Sequence, residues 1–343
     1  MRNAYFCAIS PTNSHHAVYY ARRHAAQHLL LQPASHAVCI GSCFAAHMGE
    51  RLTESLPAGH VVVNPTGTLY NPVSLLRTLQ WLMQPACGVD EARLFRAADG
   101  QWRHWDCASL LSAPTPEGLE ALLHERWTEA HRVLLQADVV ALTLSTDHVF
   151  TLVADGAEGV PVANCHKEPQ SRFAERVLTI DEMLTPWRTA LLTLRSLVPA
   201  VRVVMTLSPY RYAKHGMHGN ALSKAQLLLL IDALTHAVDG VDYFPAYEIV
   251  LDELRDYRFY APDMLHPSEQ AVDYVWERFK NWCFSADLQR YAAERVALLR
   301  AEAHRPLHPG SEAHRSFAEA LAQKQAAFRA RWAAATGEPP PTT

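Results

Sequence analysis

The stretch "VCIGSCFAAHMGERL", residues 38–52, decides how the chain is read. A short apolar run ends at Gly41-Ser42-Cys43, and apolar residues at helical spacing begin at once. A strand that turns straight into a helix is the opening unit of a parallel α/β sheet. Glycine permits the tight turn and serine is a favoured N-cap, so folding alone accounts for the Gly-Ser pair. The same geometry sets a hydroxyl and a thiol at a helix N-terminus, where unpaired N–H groups and the helix dipole favour an oxyanion.

Working outward from this unit, further apolar, β-branched or aromatic runs occur at "HVVVN" (60–64), "ADVVALTL" (137–144), "VRVVMTL" (201–207) and "VDYFPAY" (241–247). Helical periodicity fills 42–56, 71–84, 117–136, 182–198 and 221–239 between them. This alternation predicts an α/β fold with three layers: a doubly wound, flavodoxin-like parallel sheet with ligands at the carboxyl ends of its strands. Residues 1–285 are assigned to this domain. Within it, residues 85–116 break the pattern with turn formers and tryptophans and read as an insertion or lid beside the site. Beyond Cys283 an apolar stripe of Leu288, Tyr291, Val296 and Leu299, then Phe317, Leu321 and Phe328, predicts a C-terminal helical extension over 286–335. The sheet's outer helices or a second copy must cover that stripe, so a homodimer is one arrangement it allows. Residues 336–343 read as a disordered tail.

Composition narrows the partners. With 343 residues, 49% of them hydrophobic, the chain can bury a large core, and a net charge of −4 gives no footprint for nucleic acid or an anionic membrane. No apolar run is long enough to span a bilayer. Small molecules or neutral polymers such as carbohydrates are the expected partners. Seven cysteines at irregular spacing, without a CxxC pair, fit free thiols in a reducing compartment, and a cytoplasmic location is expected. The 19 histidines are scattered, with neither HEXXH nor HxH spacing, so neither a metal nor another cofactor is expected.

Polar residues cluster where the predicted strands end. After the second strand, "NPTGTLYNP" (64–72) offers Gly67 for close backbone approach and Asn64 or Asn71 as amide donors, although turn formers are also what folding needs there. After the fifth, "RDYRFYAPDMLHPSEQA" (255–271) carries Asp263 and His266 in a DxxH spacing. The carboxylate can accept from Nδ1 and leave Nε2 facing another group. A lone DxxH is weak evidence, but this fold brings it to the same sheet edge as Gly41-Ser42. Asp147-His148 is a minor candidate for a second dyad.

The segments "GSCFA" (41–45), "NPTGTLYNP" (64–72), "NCHK" (164–167), "SPYR" (208–211), "GNALSKA" (219–225), "LRDYRFYAPDMLHPS" (254–268) and "AHRPLHPGSEAH" (303–314) together resemble the GSCFA family of the SGNH, or GDSL-like, hydrolase group. That resemblance implies an SGNH hydrolase-like fold with Ser42 as nucleophile, His266 as general base and Asp263 as the acid that orients it. It further implies an oxyanion hole made by the backbone N–H groups of Ser42 and Gly67. A third donor usually follows the third strand, but "STDH" (145–148) stands where the family tends to read Gly-Thr-Ala-Trp. Asn71, Asn164 and the Thr146 amide are the candidates to replace it. Asn164, Lys167, Arg211, Asn220, Lys224 and Arg258 are assigned as substrate contacts, with ion pairing inside the loop the alternative for Arg258.

Ser42 ranks ahead of Cys43 as nucleophile on this reading, with Cys43 expected to pack inward as a small hydrophobe. The rival has physics behind it, because a thiol at a helix N-terminus is acidified and strongly nucleophilic. Three functions follow. One is a serine esterase acting on acyl esters, O-acetyl groups on carbohydrate among them. The second is an O-acyltransferase that passes the acyl group to a glycan hydroxyl with the same triad. The third is a binding protein that keeps the cleft without catalysis.

Overall fold

The computed structural model describes residues 31–153, 159–305, 308 and 311–337. Five parallel strands form its central sheet: β1 (Ala37–Gly41), β2 (Val61–Val63), β3 (Val139–Leu144), β4 (Arg202–Leu207) and β5 (Val241–Tyr243). They lie in the order β5-β4-β3-β1-β2, so the chain starts inside the sheet, winds to one edge and then back to the other. This is the expected flavodoxin-like order, whose switch point lies between β1 and β3.

Among the described residues, eight helices of eleven residues or more flank it: α1 (Cys43–Ser55), α2 (Pro72–Leu82), α3 (Pro116–Leu134), α4 (Ile180–Leu197), α5 (Gly216–Ala237), α6 (Glu269–Cys283), α7 (Ala286–Glu302) and α8 (Glu312–Thr336). Strand residues alternate between two cores, as a pleated backbone requires. Val38, Ile40, Val140, Leu142, Val203 and Met205 face α2, α3, α4 and α5. Ala37, Cys39, Val61, Val139 and Val204 face α1, α6, α7 and α8. Each fully buried aliphatic side chain contributes about 1.5–3 kcal/mol relative to exposure. Helix starts are fixed by side-chain caps at Asn71, Thr115, Thr179, Ser268, Ser285 and Ser311, with a full capping box between Thr179 and Glu182.

Two features add to the expected map. Residues 148–177 supply a small antiparallel sheet of three strands (His148–Leu152, Pro161–Val162 and Phe173–Val177). The 85–116 insertion folds as a hairpin, Leu94–Arg96 with Trp102–His104, followed by a turn. It is held firmly. Trp105 stacks on Phe95 at 3.6 Å and meets Phe173 edge-on, while Arg77 and Arg93 both grip Asp106 and the Pro161 carbonyl. Where its turn reaches the loop after β2, Ala108 donates to the Thr66 carbonyl at 2.8 Å.

Lys224 of α5 is only 1% exposed. Its ammonium donates to the carbonyls of Ser145 (2.6 Å) and Ser208 (2.8 Å), tying the carboxyl ends of β3 and β4 together. Burial pushes its pKa down to about 7, against the opposing pull of Cys43 and Asp147.

The C-terminal stripe is partly covered. Leu288, Tyr291 and Trp332 are buried with Leu52, Leu56 and Phe284, and Tyr291 packs against Phe328. Val296 and Leu299 are half-buried, while Phe317 stays exposed. α8 runs on to Thr336, one residue into the segment read as a tail, and residues 338–343 lie outside the described residues.

Truncation before Ala286 uncovers the α1–α6 surface. It should lower the melting temperature by at least about 10 °C and cut solubility, since each lost large core side chain costs roughly 2–5 kcal/mol. A truncated chain that melts with the full-length protein would show α7 and α8 to be an independent appendage. For Lys224, the unfolded chain keeps a proton up to about pH 10.5 that the folded chain releases near pH 7. Burial therefore costs most below pH 7, and the cost fades as pH rises to 10.5. The stability advantage of wild type over Lys224→Met should widen through that window by up to about 1.4 kcal/mol per pH unit in urea melts. A flat difference would sink this assignment.

Candidate active site

β1 and α1 meet at a single tight turn. Gly41 adopts φ 153°, and a Cβ there would lie 2.5 Å from the Thr143 carbonyl oxygen of β3, so only glycine lets β1 end this close to its neighbour. Asn64, itself at φ 47°, accepts the Gly41 N–H on Oδ1 at 2.8 Å. Its buried Nδ2 has no hydrogen-bond partner among the described residues.

Ser42 and Cys43 exchange their expected places. Ser42 is the N-cap, with its carbonyl accepting from Ala46, but its hydroxyl makes no cap bond. It is 0% exposed, and Oγ has no hydrogen-bond partner among the described residues. The expected Ser42–His266 hydrogen bond is therefore not made. Cys43, the first residue of α1, is partly exposed and belongs to neither core. The cap backbone itself is ordinary and extended (φ −71°, ψ −179°), so the burial of Ser42 comes from the packing around the turn. Burial pushes the Cys43 thiol up, while the N–H groups of Phe44 and Cys43 and the Lys224 ammonium pull the other way. Tyr70, Tyr210 and Tyr212 complete its electrostatic surroundings.

The DxxH turn is formed as predicted. His266 Nδ1 donates to Asp263 Oδ2 at 2.5 Å, and the N–H groups of Leu265 and His266 donate to Oδ1 at 2.9 and 3.0 Å. The His266 amide, its imidazole and the Leu265 amide together hold the Asp263 carboxyl down at about 2. Both side chains stay accessible, 46% for His266 and 44% for Asp263. Backbone bonds from Ala261 to the His266 carbonyl and from Arg211 to the Leu265 carbonyl fix the turn against the loop after β4. Tyr210 of that loop packs its ring 4.4 Å from His266, and its phenol is pushed up by burial and by the charges of Asp263 and Cys43. Tyr210 thus packs directly on the dyad. Sequence reading passed over it, although it lies inside the quoted "SPYR".

Several expected site residues serve the fold instead. The Gly67 N–H donates to the Asn64 carbonyl at 2.8 Å and is not available to an oxyanion; glycine is required because a Cβ would meet Ala108 at 2.4 Å. Asn71 caps α2 through Ser74. Asn220 accepts from the Tyr212 amide, and Asn164 accepts from Ser109 and His166. Lys224 is enclosed, as described above. Arg258 is exposed beside Asp256 at 3.6 Å, the loop-bracing alternative. Lys167 is exposed at φ 61°, and Arg211, partly exposed, lies over the Tyr260 ring at 5.1 Å.

No curated protein matches the chain. A solved structure described provisionally as a platelet activating factor from Streptococcus pneumonia is similar over 78% of this chain and 90% of its own. The likeness has 11% identity and a TM-score of 0.38, too little to carry a function across. Matches to protein families reach much further: the GSCFA family covers residues 36–279, and the GSCFA domain protein C-terminal domain covers 297–335. With the Gly-Ser-Cys turn and the DxxH dyad both inside the first match, the chain belongs to the GSCFA family.

Proposed function

We propose that this protein is an acyl hydrolase of the SGNH kind in which Cys43, rather than Ser42, attacks the substrate. The observation that carries the reading is the difference in burial between the two residues at the start of α1, taken together with an assembled Asp263–His266 pair. A nucleophile enclosed on all sides cannot reach a carbonyl carbon. A partly exposed thiol beside the N–H groups of a helix start can.

The thiol's raised pKa keeps its proton on, so a base is needed. As Cys43 Sγ bonds to the ester carbonyl carbon, its proton passes to His266 Nε2, and Asp263 stabilises the resulting imidazolium through Nδ1. The carbonyl oxygen becomes an oxyanion held by the amides of the first turn of α1. Each such donor lowers the barrier by roughly 3 kcal/mol. Collapse expels the alcohol, which takes the proton from His266 and leaves a thioester on Cys43. Water then attacks the thioester with His266 again as base, releasing the carboxylic acid and restoring the thiol. The rim of tyrosines with Arg211 suits small acyl esters of neutral, hydroxyl-bearing carriers, carbohydrate O-acetyl groups among them.

With p-nitrophenyl acetate, Cys43→Ala and His266→Ala should each lose at least about 10³-fold in kcat/KM. Ser42→Ala should stay within a few-fold of wild type and fold at least as stably, because it removes a buried hydroxyl that has no partner. Loss of activity in Ser42→Ala with retention in Cys43→Ala would return the role to Ser42. A folded wild type without esterase activity on any short acyl ester would favour a binding protein.

A further inference from the structure

Arg211 of "SPYR" (208–211) and the run "RDYRFY" (255–260) have no part in the bond-making steps, yet the fold brings them together. The Arg211 amide donates to the Leu265 carbonyl at 3.1 Å, and Tyr260 bridges to Pro267, so both segments are tied to the turn that carries Asp263 and His266. Between them opens a cavity of about 330 Å³, within the range of roughly 300–1,000 Å³ usual for small-ligand sites. Arg211, Val250, Arg255, Asp256, Tyr257 and Tyr260 line it.

The lining presents polar groups that the fold leaves largely uncommitted. Arg211 lies over the Tyr260 ring at 5.1 Å and, among the described residues, pairs with no carboxylate. Stacking on an aromatic face leaves the edge of a guanidinium, with its forked N–H donors, open to a ligand. Tyr257 is 69% exposed, with its ring centroid 6.5 Å from that of Tyr260. Arg255 closes the π-helical segment Ile249–Leu254 in the left-handed region at φ 41°, a strained conformation of the kind that collects at ligand sites. Its nearest carboxylate, Asp252, stands 3.6 Å away with both side chains exposed, so water screens the pair. The acid of the lining, Asp256, is already engaged: Oδ1 accepts from the Arg258 amide at 2.9 Å, and Oδ2 faces the Arg258 guanidinium at 3.6 Å.

We propose that this cavity binds a saccharide residue that carries a carboxylate. The exposed Tyr257 ring offers an apolar face to a pyranose and a hydroxyl to its O–H groups. Guanidinium forks take a carboxylate in paired, charge-assisted hydrogen bonds. With Asp256 balanced by Arg258 and Asp252 set against Arg255, Arg211 is the cation left over, which fits a monoanion better than a phosphate dianion. The acidic residue is a different one from the neutral sugar that bears the ester on the acyl-hydrolase reading, and its binding needs neither Cys43 nor His266.

The test is isothermal titration of the full chain with methyl β-glucuronide, with methyl β-glucoside and glucose 6-phosphate as comparisons. The glucuronide should bind saturably and at least about 10-fold tighter than the glucoside, which lacks the charge-assisted pair. Arg211→Met should erase that preference, and Arg211→Lys, which keeps the charge without the fork, should retain only part of it. Arg255→Gln should also reduce it; this side chain is 72% exposed, so the variant guards against loss through misfolding. Tyr257→Ala should weaken both methyl glycosides and leave the melting temperature unchanged. Cys43→Ala and His266→Ala should bind like wild type, which separates this site from the acyl-transfer chemistry. No saturable binding of the glucuronide below about 10 mM would overturn the proposal. So would a glucoside or glucose 6-phosphate that binds as tightly, or a preference that survives Arg211→Met.

Discussion

The contact between Gly41 and the Thr143 carbonyl is the constraint on which the site depends. β1 and β3 approach so closely at their carboxyl ends that a Cβ at residue 41 would lie 2.5 Å from that oxygen. The chain therefore leaves the sheet abruptly and enters α1 within one residue, with Ser42 as the cap. This abruptness puts the first amides of α1 at the switch point of the sheet, where a doubly wound fold collects its ligands. Of the next two residues, Ser42 is buried and Cys43 is partly exposed.

Around that turn, polar groups divide by whether the fold uses them up. Gly67, Asn71, Asn164, Asn220 and Lys224 are committed to backbone or side-chain partners that hold loops in place. Buried polar groups are normally satisfied in this way, which makes the exceptions informative. Asn64 Nδ2 and Ser42 Oγ are two such exceptions at the turn, and Asp147 Oδ1 is another beside His148. The first pair adjoins the proposed acyl-transfer centre.

Much of this was legible in the sequence, and the reasons it was not all legible are physical. Five strands and the helices between them follow from period and length, and every expected core strand is present with its neighbours in flavodoxin-like order. The DxxH turn was readable because its geometry is local: three residues suffice to bring carboxylate and imidazole together. The small sheet was missed because its strands, two to five residues long and half-exposed, alternate too briefly to show a period. The order of Ser42 and Cys43 could not be read from identity, since either can stand at a helix start. Which one is buried is set by tertiary packing around the turn.

The central claim is that acyl chemistry passes through sulfur at the start of α1. Its most direct measurement is to quench the wild-type protein during turnover of p-nitrophenyl acetate and locate the acetyl group by fragmentation mass spectrometry. The account predicts one acetyl group on Cys43, released by neutral hydroxylamine as a thioester is. An acetyl group on Ser42, resistant to that treatment, would contradict it.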